Sequence, residues 1–68
     1  MNNETTGTIM FLENAERFAE SRGLGNKFRV HFESYREFSG VRRAAEKALA
    51  RLNLFTVFML KDEILERE

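Results

Sequence analysis

The sequence predicts a small α/β (or α+β) domain in the order β-α-β-α-β, three short strands with two helices, completed by dimerisation. Three stretches lead to that reading. Residues 41–52, VRRAAEKALARL, put Val41, Ala44, Ala45, Ala48, Leu49 and Leu52 at the spacing of one helix face. Residues 27–33, KFRVHFE, alternate apolar and polar, as a half-buried strand does. Residues 54–61, LFTVFMLK, are rich in β-branched and aromatic side chains and apolar on both faces.

The elements follow in order. Residues 1–4 form a polar end expected to fray. Residues 5–12, TTGTIMFL, have the composition of a strand, weakened locally by Gly7. A competing reading runs a helix from Ile9 to Arg22, because Phe11, Leu12, Ala15, Phe18 and Ala19 share one arc of a helical wheel. The strand is preferred to Leu12, with a helix following from Glu13 or Asn14. That helix stops at Arg22-Gly23-Leu24, where Gly23 is free to take positive φ and Leu24 folds back on the last turn. Gly25-Asn26 makes a turn, and the alternating strand follows. Ser34-Tyr35-Arg36-Glu37 matches a capping box that starts the central helix at Tyr35; alternatively, Ser39 caps a second start. Asn53 supplies another left-handed stop. After the last strand, residues 62–68 are charged, and 66–68 are expected to fray.

At 68 residues the chain is one domain with a marginal core. It has no Cys, one His and one Asp, so disulfides are excluded and no metal site or other cofactor is expected. By elimination, self-association is the remaining route to added stability. Phe55, Val57, Phe58 and Met59 on the last strand are the candidate self-association residues, packing across a two-fold axis. There is no proline, internal repeat or low-complexity linker, hence no second domain. No positively charged signal region opens the chain, and its longest strictly apolar run is four residues. With no Cys, a cytoplasmic location is expected.

Charge is uneven although it sums to zero. Residues 1–20 carry net −3, residues 21–60 net +5 and residues 61–68 net −2. A basic middle between acidic ends suits an acidic partner, or ends that fold over the middle. Lys27, Arg29, Arg42, Arg43, Lys47 and Arg51 are the candidate contacts for a protein partner or for nucleic acid. Tyr35 could stack on a base. A ribbon-helix-helix arrangement would put Lys27, Arg29 and His31 on a strand in the major groove. It needs residues 54–66 to be helical, which Phe-Thr-Val-Phe opposes.

Catalysis finds little support. His31 and Glu33 would share a strand face, but no further ligand or base stands at useful spacing. Ser21, Ser34 and Ser39 each have a helix end to cap. Gly23-Leu24-Gly25 lies between a helix and a strand, the wrong order for a dinucleotide loop. The expectation is a non-catalytic, homo-oligomeric protein that regulates or inhibits through protein–protein contact. The alternative is a nucleic-acid-binding regulator that uses the basic helix face.

Overall fold

The computed structural model describes the backbone of residues 3–67 and the side chains of residues 6–61. Four helices follow one another: α1 (Asn3–Glu20), α2 (Gly25–Arg36), α3 (Val41–Arg51) and α4 (Phe55–Arg67). The described residues contain no strand, so the α/β expectation is overturned. Residues 5–12 belong to α1, 27–33 to α2 and 55–61 to α4. Of the end segments expected to fray, residues 1–2 and 68 lie outside the described residues, while α1 and α4 reach Asn3 and Arg67.

The physical reason is a shared pattern. Phe28 and Phe32 are two positions apart in the strand reading's period, but they are also four residues apart in sequence, which is one helical turn. In α2 Phe28 is buried and Phe32 packs partly against the core. Val30, which an alternating strand would have buried between them, faces solvent at 66% exposure. The same holds at the start of the last segment, where Leu54, just before α4, and Phe58 are buried four residues apart while Val57 and Leu60 are exposed. A strand must find a partner's backbone groups, whereas a helix satisfies its own. The first segment, interrupted by Gly7, was a weak partner.

Helix α3 is where the sequence expects it, ending one residue earlier with Leu52 as its C-cap. Ala44, Ala45, Ala48 and Leu49 are fully buried. Three alanines in that face let the axes of the neighbouring helices come close, and α3 packs against α1, α2 and α4. The core around it consists mainly of Phe11, Ala15, Phe18 and Ala19 from α1, Phe28 from α2, and Leu54 and Phe58 from the start of α4. Phe58 meets the edges of Phe11 and Phe18 at ring-centroid distances of 5.5 and 5.3 Å. Such edge contacts add about 0.5–1.5 kcal/mol each beyond burial.

Both left-handed stops form as the sequence indicates. Gly23 has φ 74° and Asn53 φ 61°. At the first, Leu24 N–H donates to the Ala19 carbonyl at 2.9 Å and Gly23 N–H to Glu20 at 3.0 Å. At the second, Leu54 N–H donates to Leu49 at 2.8 Å and Asn53 N–H to Ala50 at 3.0 Å. These are two Schellman caps, each followed by a leucine folded back on the helix it closes. Each leucine carbonyl then starts the next helix, accepting from Phe28 or Phe58 N–H at 2.9 Å. The cap residues correspond at a constant offset: Gly23 with Asn53, Leu24 with Leu54, Phe28 with Phe58.

The two stops differ in cost. Glycine adopts positive φ freely, and asparagine pays a small penalty there. Gly23→Ala is therefore expected to destabilise the chain by about 1 kcal/mol, and Asn53→Gly to leave stability equal or slightly raised. Urea unfolding followed by circular dichroism measures both.

The capping box expected at Ser34 does not form, because Ser34 lies inside α2. The α2–α3 junction is Glu37 to Gly40, with Gly40 as the N-cap of α3 at φ −69° and ψ 173°. Phe38, in that junction, is 84% exposed.

Candidate interaction surfaces

The helical fold rearranges the candidates placed on strands, now in α2 and α4, and keeps Arg42, Arg43, Lys47 and Arg51 on α3. Lys27 and Arg29 do not share a face in α2, because two residues of helix turn them about 200° apart. Arg29 reaches α1 and pairs with Glu16 at 2.8 Å. Lys27 is exposed. On α3, Arg42 pairs with Glu46 at 3.1 Å, one turn along, as the sequence spacing allows, and Arg43 approaches the same carboxylate at 3.9 Å. The Arg42 guanidinium also lies 4.1 Å from the centre of the Phe11 ring, and Lys47 Nζ lies 5.6 Å from that of Tyr35. Cations over ring faces are attracted by the negative π-face, by about 0.5–1 kcal/mol at exposed sites.

The basic set is thus divided. Arg43, Lys47 and Arg51 recur every fourth residue along one exposed edge of α3, and Arg42 and Arg29 turn toward α1. Tyr35, Lys47, Ala50 and Arg51 line an open groove between α2 and α3. These ion pairs are exposed, and pairs of that kind contribute little to stability.

His31 and Glu33, placed on one face by the strand reading, are likewise about 200° apart in α2. His31 is half-buried and Glu33 exposed. No group of three or more His, Asp or Glu side chains suited to hold a metal ion occurs among the described residues. No helix among them is long and apolar enough to cross a membrane.

The four candidate self-association residues separate as well. Phe58 is 5% exposed and belongs to the core; Phe55 and Met59 pack against it from the rim. Only Val57, at 44%, presents a free apolar side chain. It has company that the sequence reading missed. Phe11 and Phe58 face each other across the α1–α4 seam. Met10 and Val57, the residues just before them, stand about 100° round their helices. Each lies on the side away from the buried and half-buried neighbours, Ala15 and Ala19 in α1 and Phe55 and Met59 in α4. Met10 is 57% exposed, and Leu60, further round α4, 54%. Met10, Val57 and Leu60 are thus exposed apolar side chains on the two helices that meet at Phe11 and Phe58.

Charges of both signs lie on and beside these helices. Lys61 Nζ and the Arg22 guanidinium lie 5.7 and 4.1 Å from the centre of the Phe18 ring. Glu13, Glu16, Arg17 and Glu20 line an open, polar groove along α1. The signal for this surface was in the sequence, in the helical reading of Ile9 to Arg22, which buries Phe11 and turns Met10 outward. Comparison with known proteins adds no identity: no family model, curated protein or solved structure matches this chain.

Proposed function

We propose that this protein is a non-catalytic binding module whose docking surface is the outer strip of the α1–α4 seam, and that its partner there is a second copy of itself. The observation that carries the reading is the exposure of Met10, Val57 and Leu60 on the two helices that meet at Phe11 and Phe58, in a chain with little core. Isolated exposed apolar residues are ordinary, but a contiguous strip rimmed by charge marks a contact surface. The charges suit a copy of itself: Arg17 stands among Glu13, Glu16 and Glu20 and Lys61 lies over Phe18, so a two-fold contact can set cations of one chain against carboxylates of the other. Regulation or inhibition of another protein through the same strip would follow from competition with this self-contact.

Leu60→Glu is expected to raise the dimer dissociation constant at least about tenfold, since it places a carboxylate in the apolar strip of both chains. Sedimentation equilibrium measures it. A chain whose association is unchanged by Leu60→Glu does not use this strip.

A second reading rests on the exposed row Arg43, Lys47 and Arg51 beside Tyr35. If this row binds nucleic acid, DNA or RNA mobility shifts with the wild-type chain, the shift weakens steeply with salt, and substitution of the three cations by Ala removes it. The ribbon-helix-helix version is not retained: residues 55–67 are helical, but the strand it needs over Lys27, Arg29 and His31 is helix α2.

A further inference from the structure

We propose that a second copy of this chain exchanges helical hairpins with the first about Gly40, straightening α2 and α3 into one continuous helix and burying Phe38 where the two copies cross. The proposal shares with the seam reading only its partner, another copy. It uses a different surface.

The first support is that α1–α2 and α3–α4 are two versions of one unit. Their caps match bond for bond: 2.9 and 2.8 Å for the leucine amides, 3.0 Å for each residue at positive φ, 2.9 Å for each following phenylalanine. Even the packing beside each cap is complementary. In the first hairpin a Cβ on Gly25 would sit 2.6 Å from Glu20 Cγ, so a long side chain faces a glycine. The corresponding positions of the second hold Ala50 and Phe55, small and large transposed. Each hairpin is closed by its own cap. The two hairpins are joined by α3, which packs against both α1 and α2, and by Phe58 of the second meeting Phe11 and Phe18 of the first. Exchange rebuilds those contacts between copies without losing them.

The second support is the junction. Glu37 has helical angles, φ −68° and ψ −22°. Phe38 and Ser39 N–H both donate to the Tyr35 carbonyl, at 3.0 and 2.9 Å, so the turn of α2 persists through Ser39. The chain leaves the helix at Gly40, whose φ of −69° is already helical and whose ψ of 173° is not. Ala44 N–H donates to the Gly40 carbonyl at 2.9 Å, a bond that a continuous helix keeps. Gly40 ψ is thus one torsion that must turn to join α2 to α3, in a junction of only four residues.

The third support is Phe38. At 84% exposure it contributes almost nothing to the closed chain. In a continuous helix Tyr35, Phe38, Val41, Ala45, Leu49 and Leu52 fall on one drifting apolar stripe. The two hinges cross at the two-fold axis of an exchanged dimer, which sets Phe38 against its counterpart.

The test is sedimentation equilibrium of the full chain from micromolar to millimolar concentration, with Gly40→Ala, Phe38→Ser and Leu60→Glu. Alanine at 40 fits the closed chain: φ is ordinary and nothing lies within 4 Å of the added Cβ. It favours the continuous helix, because alanine is the better helix residue and the poorer N-cap. Gly40→Ala is expected to lower the dimer dissociation constant at least about tenfold, the preference counting once per chain. Phe38→Ser is expected to raise it at least about tenfold while the unfolding midpoint of the monomer stays put. Leu60→Glu leaves an exchanged dimer unchanged. Association that responds to Leu60→Glu and ignores Gly40 and Phe38 overturns exchange and leaves the seam standing. Response to Gly40 and Phe38 alone overturns the seam. Monomers throughout, Gly40→Ala included, overturn both.

Discussion

Phe58→Ala is expected to leave most of the protein unfolded at 37 °C. The ring is 5% exposed and sits between the edges of Phe11 and Phe18. Truncating a buried phenylalanine costs about 3–5 kcal/mol in lost transfer energy and residual cavity. A chain of this length has a total stability of about 3–10 kcal/mol. The loss is therefore a large fraction of the whole, and the lower end of that range does not survive it. Position makes it worse. Phe58 is the side chain through which α4 grips α1, so its removal loosens an entire helix as well as leaving a void. Thermal unfolding followed by circular dichroism at 222 nm checks this. The midpoint should fall by at least about 15 °C, because each kcal/mol moves a domain of this size by about 4–8 °C. Phe58→Leu, which refills most of the volume, should lose less than half as much. A Phe58→Ala midpoint within a few degrees of the parent would mean that α4 is not part of the cooperative core.

The elements that could be read from the sequence share a cause. Gly23 and Asn53 were found because positive φ is a demand on one residue, met by few residue types. Helix α3 was found because its stripe runs over three turns up to the stop at Asn53. The strands were misread because seven or eight residues cannot separate the two periods when the large apolar residues stand four apart. Leu24, Phe28, Phe32 and Tyr35 form a helical series as regular as the alternation of Phe28, Val30 and Phe32. Only the exposure of Val30 decides between them, and that is a property of the packed chain. The β preference of Phe, Thr and Val is a preference for a half-buried pleated surface, and with no sheet to join it has no effect. The candidate surfaces inherit the same error. A wrong period moves side chains to the wrong face, as it did for Lys27 with Arg29 and for His31 with Glu33. It also hid Met10, which the strand reading had no reason to pair with Val57.

The charge pattern is better explained by the fold than by a partner. The acidic first segment and basic middle meet inside one molecule, where Arg29 of α2 pairs with Glu16 of α1. Arg42 of α3 lies over Phe11 and Arg22 over Phe18, so the guanidinium groups cover the outer faces of core rings. Arginine suits that place because its planar, weakly hydrated head stacks on a ring while its stem covers apolar surface.

Leu49→Ala should be nearly as damaging as the loss of Phe58, and for a reason specific to α3. Leu49 is fully buried, and its neighbours on the same face, Ala45 and Ala48, are fully buried too. The cost of deleting a buried leucine runs from about 2 to 5 kcal/mol and rises with the volume of the cavity that stays open. A cavity closes when long neighbouring side chains swing into it. Here the neighbours along the helix are single methyl groups, already in contact with α1 and α2, and cannot move without the helix. The void is therefore expected to persist and the cost to lie near the upper limit, about 4–5 kcal/mol. The converse change, Ala45→Leu, adds volume where axes are close and should cost about 1–3 kcal/mol by overpacking. Ala45 and Leu49 are one turn apart on one face, so Ala45→Leu in the Leu49→Ala background supplies the missing atoms from the adjacent turn. If the void is what destabilises the single variant, the double variant is more stable than the sum of the two losses, by about 0.5–3 kcal/mol in a urea-unfolding cycle. Strict additivity would show that α3 shifts to fill the space, and that its alanine face is less rigid than its complete burial implies.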